Sequence, residues 1–243
     1  MNPRVIAKGP INPEDIDIEV TTTSNRKTTP EIENQIQSAW EIIQSKAKER
    51  GQQCYDGESL RADEIIIENG KVQIIVSPIR FSQRKPLIDL YESLPSEEYG
   101  SKGLCVICLI KTNDGKFVFF CRSNKSFTRE RIDLAGGIVE KADYSNGICL
   151  LEKSKNEVYE EAGITESIIE DMKILGIISV YNSNVIVVTS IKLSTDSAHI
   201  VGIFETRPDN EMFRPIFIEE KNLKNYMHEL GGYMDTVVEL LES

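Results

Sequence analysis

The stretch NEVYEEAGI, residues 156–164, carries three carboxylates, Glu157, Glu160 and Glu161, at spacings of i, i+3 and i+4. At about 100° per residue on a helix these gather on one side, while Ile148, Leu151, Val158 and Ala162 fall roughly opposite. Gly163 follows as a C-terminal breaker, so a helix is expected from about Asn146 to Ala162. One face packs and the other collects negative charge. Like charges at this spacing destabilise an isolated helix by a few tenths of a kcal/mol. Partial burial therefore calls for a compensating cation, and a hard divalent ion with oxygen ligands, Mg²⁺ or Mn²⁺, is the natural one. A solvated acidic helix face is the competing reading of this string. The context upstream shifts the balance: DLAGGIVE, residues 133–140, puts Gly136 and Gly137 where a strand ends. Glycine there lets a carbonyl or amide approach a metal or phosphate closely.

Outward from this core the chain alternates short strands and helices. Asn113-Asp114-Gly115 separates LCVICLI from KFVFFCR, a hairpin signal, and Asn69-Gly70 separates two further β-rich runs around a type I′ turn. Pro30 starts a helix on which Ile32, Ile36, Trp40, Ile43 and Ala47 recur until Gly51. A short helix is expected at Leu87 to Leu94, strands at 174–181, 185–193 and 215–218, a capped helix after Ser194-Thr195-Asp196, and a last helix in GGYMDTVVELLES. Hairpin-linked strands mixed with helices indicate an α+β fold with a mixed sheet, not a doubly wound parallel one. Residues 1–28, with Pro3, Pro10 and Pro13 and no sustained periodicity, are expected as an N-terminal arm. Residues 29–100 read as a small helix-plus-hairpin domain and 101–243 as the main domain.

Composition limits the partners. The 243 residues include 39 acidic and 28 basic side chains, a formal charge of −11, so the overall field repels nucleic-acid backbones. No nucleic-acid partner is expected, and a nucleotide ligand would need placed Arg or Lys or a divalent metal. No apolar run reaches the roughly 20 residues of a membrane span, and the start lacks a signal-peptide layout, so a soluble cytoplasmic protein is expected. Five scattered cysteines fit a reducing compartment. Cys105 and Cys108 spell C-x-x-C, but on a strand they face opposite ways, which favours buried structural thiols over a metal pair. His199 and His228 are isolated and support no histidine-based site.

Taken together, the glycine pair and the glutamate helix resemble the Nudix box. Gly137 matches its first glycine, and Glu157, Val158, Glu160, Glu161, Gly163 and Ile164 match its second half position for position. Asp143 stands where the box has its first glutamate, twelve residues rather than seven separate it from Asn156, and Asn156 replaces the arginine that braces the glutamates. A lengthened loop, a replaced arginine and an extra N-terminal region resemble the branch that hydrolyses UDP-glucose and UDP-galactose. Trp40, Tyr55-Asp56-Gly57, FVFFCRS followed by IDLAGG, the LSTD helix start and the segment from Glu211 to Leu223 add to that likeness.

The resemblance implies an α/β/α Nudix sandwich with a smaller N-terminal α+β domain. It also implies Mg²⁺-dependent hydrolysis of a nucleoside diphosphate-linked substrate, here to UMP and a sugar 1-phosphate. Glu157 and Glu161 would be the principal metal ligands, with Glu160 a further ligand or the acceptor of the water proton. The Gly137 carbonyl would add a ligand beside the substrate, Glu211 would be a catalytic acid outside the box, and Arg122 would face a phosphate. Each has a plain alternative: Arg122 as a strand-end arginine paired with a surface acid, Glu211 as one solvated acid among Glu205, Asp209, Glu219 and Glu220. Glu140 and Asp143 compete for an accessory acidic role. Lys125, Arg129 and Arg131 form a basic loop before the glycines, near substrate phosphates or merely solvated. Other outcomes of the same scaffold are hydrolysis of ADP-ribose or a dinucleotide, or nucleotide binding without catalysis.

Overall fold

The computed structural model describes residues 3–49, 51, 54–122, 132–144, 149–180, 184–208, 212–226, 230 and 232–241. Among them the strands are β1 (Arg4–Ile11), β2 (Ile16–Val20), β3 (Glu58–Glu68), β4 (Lys71–Arg80), β5 (Leu104–Lys111), β6 (Lys116–Arg122), β7 (Ile132–Asp133), β8 (Ala135–Ile138), β9 (Ile169–Ser179), β10 (Val185–Leu193) and β11 (Met212–Glu219). The α-helices are α1 (Pro30–Glu49), α2 (Phe81–Asp89), α3 (Leu150–Ala162), α4 (Ser197–Phe204) and α5 (Met234–Leu241).

An eight-stranded mixed sheet runs β1-β9-β10-β5-β6-β11, with β7 on β6 and β8 on β5. β10 is parallel to β5 and antiparallel to β9, as expected of a mixed sheet. Strand alternation divides β5 between two faces. Ile107 and Leu109 pack with Met234, Val237 and Leu240 of α5, while Cys108 and Ile110 pack with Val158 and Ala162 of α3 and Ile200 of α4. Helices thus cover both faces. Cys105 and Cys108 fall on opposite faces, as alternation requires, and burial pushes the Cys105 thiol up to about 11. A second, three-stranded sheet, β2-β4-β3, packs Leu60, Ala62, Ile74 and Val76 against Leu104 and Val106 of β5, beside α3. Against that sheet lie α1 and α2, joined through Ile32, Ile36, Ile79 and Leu87.

The hairpin at Asn69-Gly70 forms with φ of 52° and 80°, the two positive values a type I′ turn demands. Two local expectations are corrected. Residues 4–11 and 16–20 are strands, not a surface arm: β1 pairs antiparallel with β9 and β2 parallel with β4. The alternation of Val5, Ala7, Ile16, Ile18 and Val20 is broken by Pro10 and Pro13, and β1 carries register shifts. An edge strand tolerates such prolines because one side of its backbone needs no partner.

The helix expected from Leu87 instead begins at Phe81 and holds Pro86 inside. Its start is fixed by a residue distant in sequence: the Asp56 carboxylate accepts hydrogen bonds from the Ser82 N–H at 2.7 Å and the Ser82 hydroxyl at 3.0 Å. This cap offsets the backbone bond that Pro86 removes. Asp56→Ala is expected to cost about 1 kcal/mol of stability in urea denaturation, with Asp56→Asn close to wild type. Equal midpoints for all three proteins would show that the cap is dispensable.

Candidate active site

The site is built where β5 changes partner. Near its C-terminal end it pairs with β6, Ile110 opposite Val118 and Lys111 opposite Phe117. Over Cys105–Cys108 the neighbour is β8, with Val106 opposite Gly137 and Ile107 opposite Gly136. Gly136 has φ +157°, and a Cβ there would stand 2.2 Å from the Val106 carbonyl oxygen. Only glycine lets the chain bend so close to β5. β3 holds the bend from outside: the Leu60 N–H donates to the Val139 carbonyl at 2.8 Å, and Ser59 bridges to Glu140.

The glutamate-bearing helix packs across this bend. Glu157 and Glu161 are buried, 8% and 4% exposed, and Glu160 is exposed. The Gly136 N–H donates to Glu161 Oε2 at 2.8 Å. The Glu157 carboxylate lies on Gly137, where an added Cβ would sit 2.4 Å from Oε1 and 2.5 Å from Oε2. Both carboxylates, one turn apart, therefore address the paired-glycine bend. The Gly163 that ends the helix is left-handed at φ +72° and donates to the Tyr159 carbonyl.

The cation that compensates this charge within the chain is Lys153, which sequence reasoning missed. Its Nζ stands 2.8 Å from Glu157 Oε1 and 3.2 Å from Asp143 Oδ2, and all three side chains are largely buried. The i, i+4 spacing to Glu157 was the available signal. Asn156 is exposed, so the support expected from that position comes from one turn earlier. Burial pushes the Glu157 carboxyl above its ordinary range, and the Lys153 charge only partly offsets this. Burial works against the Lys153 ammonium too, but Glu157 and Asp143 outweigh it and hold its pKa up. Asp143 also accepts from the Glu140 N–H at 2.7 Å, which folds the loop after the bend toward the helix.

Arg122 ends β6 with its Nε 3.4 Å from Asp133 Oδ2, and Asp133 Oδ1 accepts from the Leu134 N–H and the Tyr233 hydroxyl. Its acidic partner is thus a part-buried residue just before the bend, not a surface acid. Glu211, Lys125, Arg129, Arg131 and His228 lie outside the described residues. His199 donates its backbone N–H to the Asp196 carboxylate at the start of α4, a capping role. Among the described residues no three acidic, thiol or imidazole groups converge on one point as they stand. The donor set at the bend is nonetheless all hard oxygen, which suits Mg²⁺ or Mn²⁺ and not a thiophilic metal.

No protein-family model matches the chain, and no curated protein matches it in sequence. Solved structures that resemble it include three in which it aligns over a little more than half its length. One is a MutT protein from Methanosarcina mazei, at 20% identity over 58% of this chain and 93% of the other, TM-score 0.41. A second is the Nudix domain of NrtR from Shewanella oneidensis, complexed with ADP ribose, at 12% over 63% and 95%, TM-score 0.43. The third is a Nudix hydrolase from Nitrosomonas europaea, at 13% over 56% and 86%, TM-score 0.38. Likeness at this level assigns no residue a role; the roles rest on the side chains around the bend.

Proposed function

We propose that this chain is a divalent-metal-dependent Nudix pyrophosphohydrolase acting on a nucleoside diphosphate linked to a second group. UDP-glucose and UDP-galactose are the first candidates, yielding UMP and a sugar 1-phosphate. The observation that carries this reading is that Glu157 and Glu161 both meet the backbone of Gly136-Gly137. Two buried carboxylates of one charge are costly to hold side by side without a cation. Glu157, Glu161 and Glu160, with the Gly137 carbonyl, would hold Mg²⁺ or Mn²⁺, Glu160 turning inward from its exposed position. A bound ion supplies charge neutralisation on the diphosphate and acidifies an attacking water.

The chain's own groups do the rest. Glu160, exposed on the same turn, would take the water proton. Lys153 keeps Glu157 oriented toward the bend while the site is empty of substrate. The Arg122–Asp133 pair fixes a guanidinium at the strand end before the bend, where a phosphate would bind. Glu211 remains the candidate acid beyond the helix.

Incubation with UDP-glucose, UDP-galactose, ADP-ribose and dinucleotides, with Mg²⁺ and product separation, tests the reading. Release of UMP from the UDP-sugars is expected, with complete loss under chelation and recovery on adding Mg²⁺ or Mn²⁺. The metal requirement should rise as pH falls, because protons compete for the raised Glu157 carboxyl. Turnover of ADP-ribose alone would reassign the base and sugar. Binding without turnover of any member would reduce the chain to a nucleotide-binding module.

A further inference from the structure

We propose that Arg84, on α2 beside the three-stranded sheet, is a substrate-binding residue that takes a non-bridging phosphate oxygen of the diphosphate. This rests on the pyrophosphohydrolase reading and adds a residue outside the glutamate helix and outside any motif of the sequence.

The side chain reaches the bend from across the sheet junction. Its Cδ lies 3.3 Å from where a Gly103 Cβ would be, and that same point is 2.9 Å from Ile138 Cδ1, the residue after Gly137. Ile138 is in turn the β-partner of Cys105. The Cys105 thiol lies within electrostatic reach of Arg84, Glu157 and Lys153, and Arg84 within that of Glu140. The Arg84 stem therefore runs beside the strand that carries Gly137, the glycine on which the Glu157 carboxylate lies. The side chain is also part-buried, with one donor unsatisfied. Its Nε is sealed from solvent without a hydrogen-bond partner, and among the described residues Arg84 makes no ion pair. Its guanidinium carbon lies 5.7 Å from the centre of the Phe81 ring, and Phe81 packs edge-on against Trp40.

An arginine cannot shed its proton as a buried lysine does, so burial lowers its pKa without neutralising it. A part-buried guanidinium with one sealed, unpaired N–H is a cost the fold carries. A diphosphate oxygen relieves it, and the planar donor fork suits that group. The second sheet then has a function beyond packing: through β4 and α2 it delivers a cation besides Lys153, which is already engaged by Glu157 and Asp143.

Arg84→Met keeps the stem and removes the charge; Arg84→Lys keeps the charge and removes the fork. For substrate turned over with Mg²⁺, Arg84→Met is expected to lower kcat/KM by about 10- to 100-fold, with Arg84→Lys between it and wild type. The thermal midpoint of Arg84→Met should equal or exceed that of wild type, because a sealed donor without a partner has gone. Calorimetric titration with inorganic pyrophosphate in metal-free buffer gives a second readout: wild type binds, and Arg84→Met binds at least about tenfold more weakly. A wild type that turns over substrate beside an equally active Arg84→Met overturns this inference and spares the enzymatic reading. A wild type with no turnover defeats the enzymatic reading, and the pyrophosphate titration alone then decides on Arg84. Equal pyrophosphate binding by both proteins, or none by wild type, overturns it. Should Arg84→Met fail to fold, Arg84→Lys is judged by the same titration, with weakened binding expected and wild-type affinity overturning.

Discussion

Glu161→Gln is expected to abolish turnover while leaving the fold in place. Glu161 is 4% exposed, and the hydrogen bond it accepts at the bend, from the Gly136 N–H at 2.8 Å, can be retained by a glutamine oxygen. What the substitution removes is the negative charge. A hard divalent ion bound through carboxylates loses affinity when a ligand becomes neutral, and the charge stabilisation of the reacting phosphates goes with it. A fall in kcat/KM of at least about a hundredfold at saturating Mg²⁺ is expected, on the scale of losing one preorganised electrostatic contact. The thermal midpoint should hold or rise, since a buried carboxylate one helical turn from Glu157 has been neutralised. Thermal melts and steady-state kinetics on the same preparation check both halves. Activity within threefold of wild type would remove Glu161 from the metal site, and a collapsed midpoint would make its role structural.

The glutamate helix, both hairpins and the mixed sheet were legible because each rests on local pattern: period 3.6 in α3, glycines at turns that need positive φ, short β-branched runs. What was illegible depends on residues distant in sequence. The start of α2 is set by Asp56, 26 positions before Ser82, and no local rule places a cap there. β1 reads as an irregular, proline-bearing stretch until β9 is beside it. At the site, the three glutamates follow from spacing, but their unequal burial does not; Gly136 decides it by letting α3 lie on the bend. Lys153 sat one turn before Glu157 in plain view. Its i, i+4 spacing is that of any surface ion pair, and only the fold shows that this one is buried. Arg84 carries no motif, and only the packing of the second sheet brings it to Gly103 and Ile138.

The adjacent glycines should separate architecture from chemistry. Gly136→Ala puts a Cβ 2.2 Å from the Val106 carbonyl oxygen and 2.8 Å from the Ile107 Cα, at a φ of +157°. Those are backbone atoms in a central strand and cannot yield cheaply, so about 3 kcal/mol or more of stability should go, measured in urea. Gly137→Ala meets something different. Its Cβ would strike the end of one side chain, the Glu157 carboxylate, at 2.4 to 2.5 Å. That carboxylate can rotate away, so the unfolding free energy measured in urea should fall by no more than about 1 kcal/mol. Glu157 would then no longer rest on the bend, and a displacement of about an ångström at a positioned group costs on the order of a hundredfold in rate. Gly137→Ala is therefore expected to be stable and nearly inactive, Gly136→Ala unstable. If Gly137→Ala keeps full activity, Glu157 does not act from the position it holds against the glycine. Equal destabilisation of both variants would show that the carboxylate is as rigid as the strand beneath it.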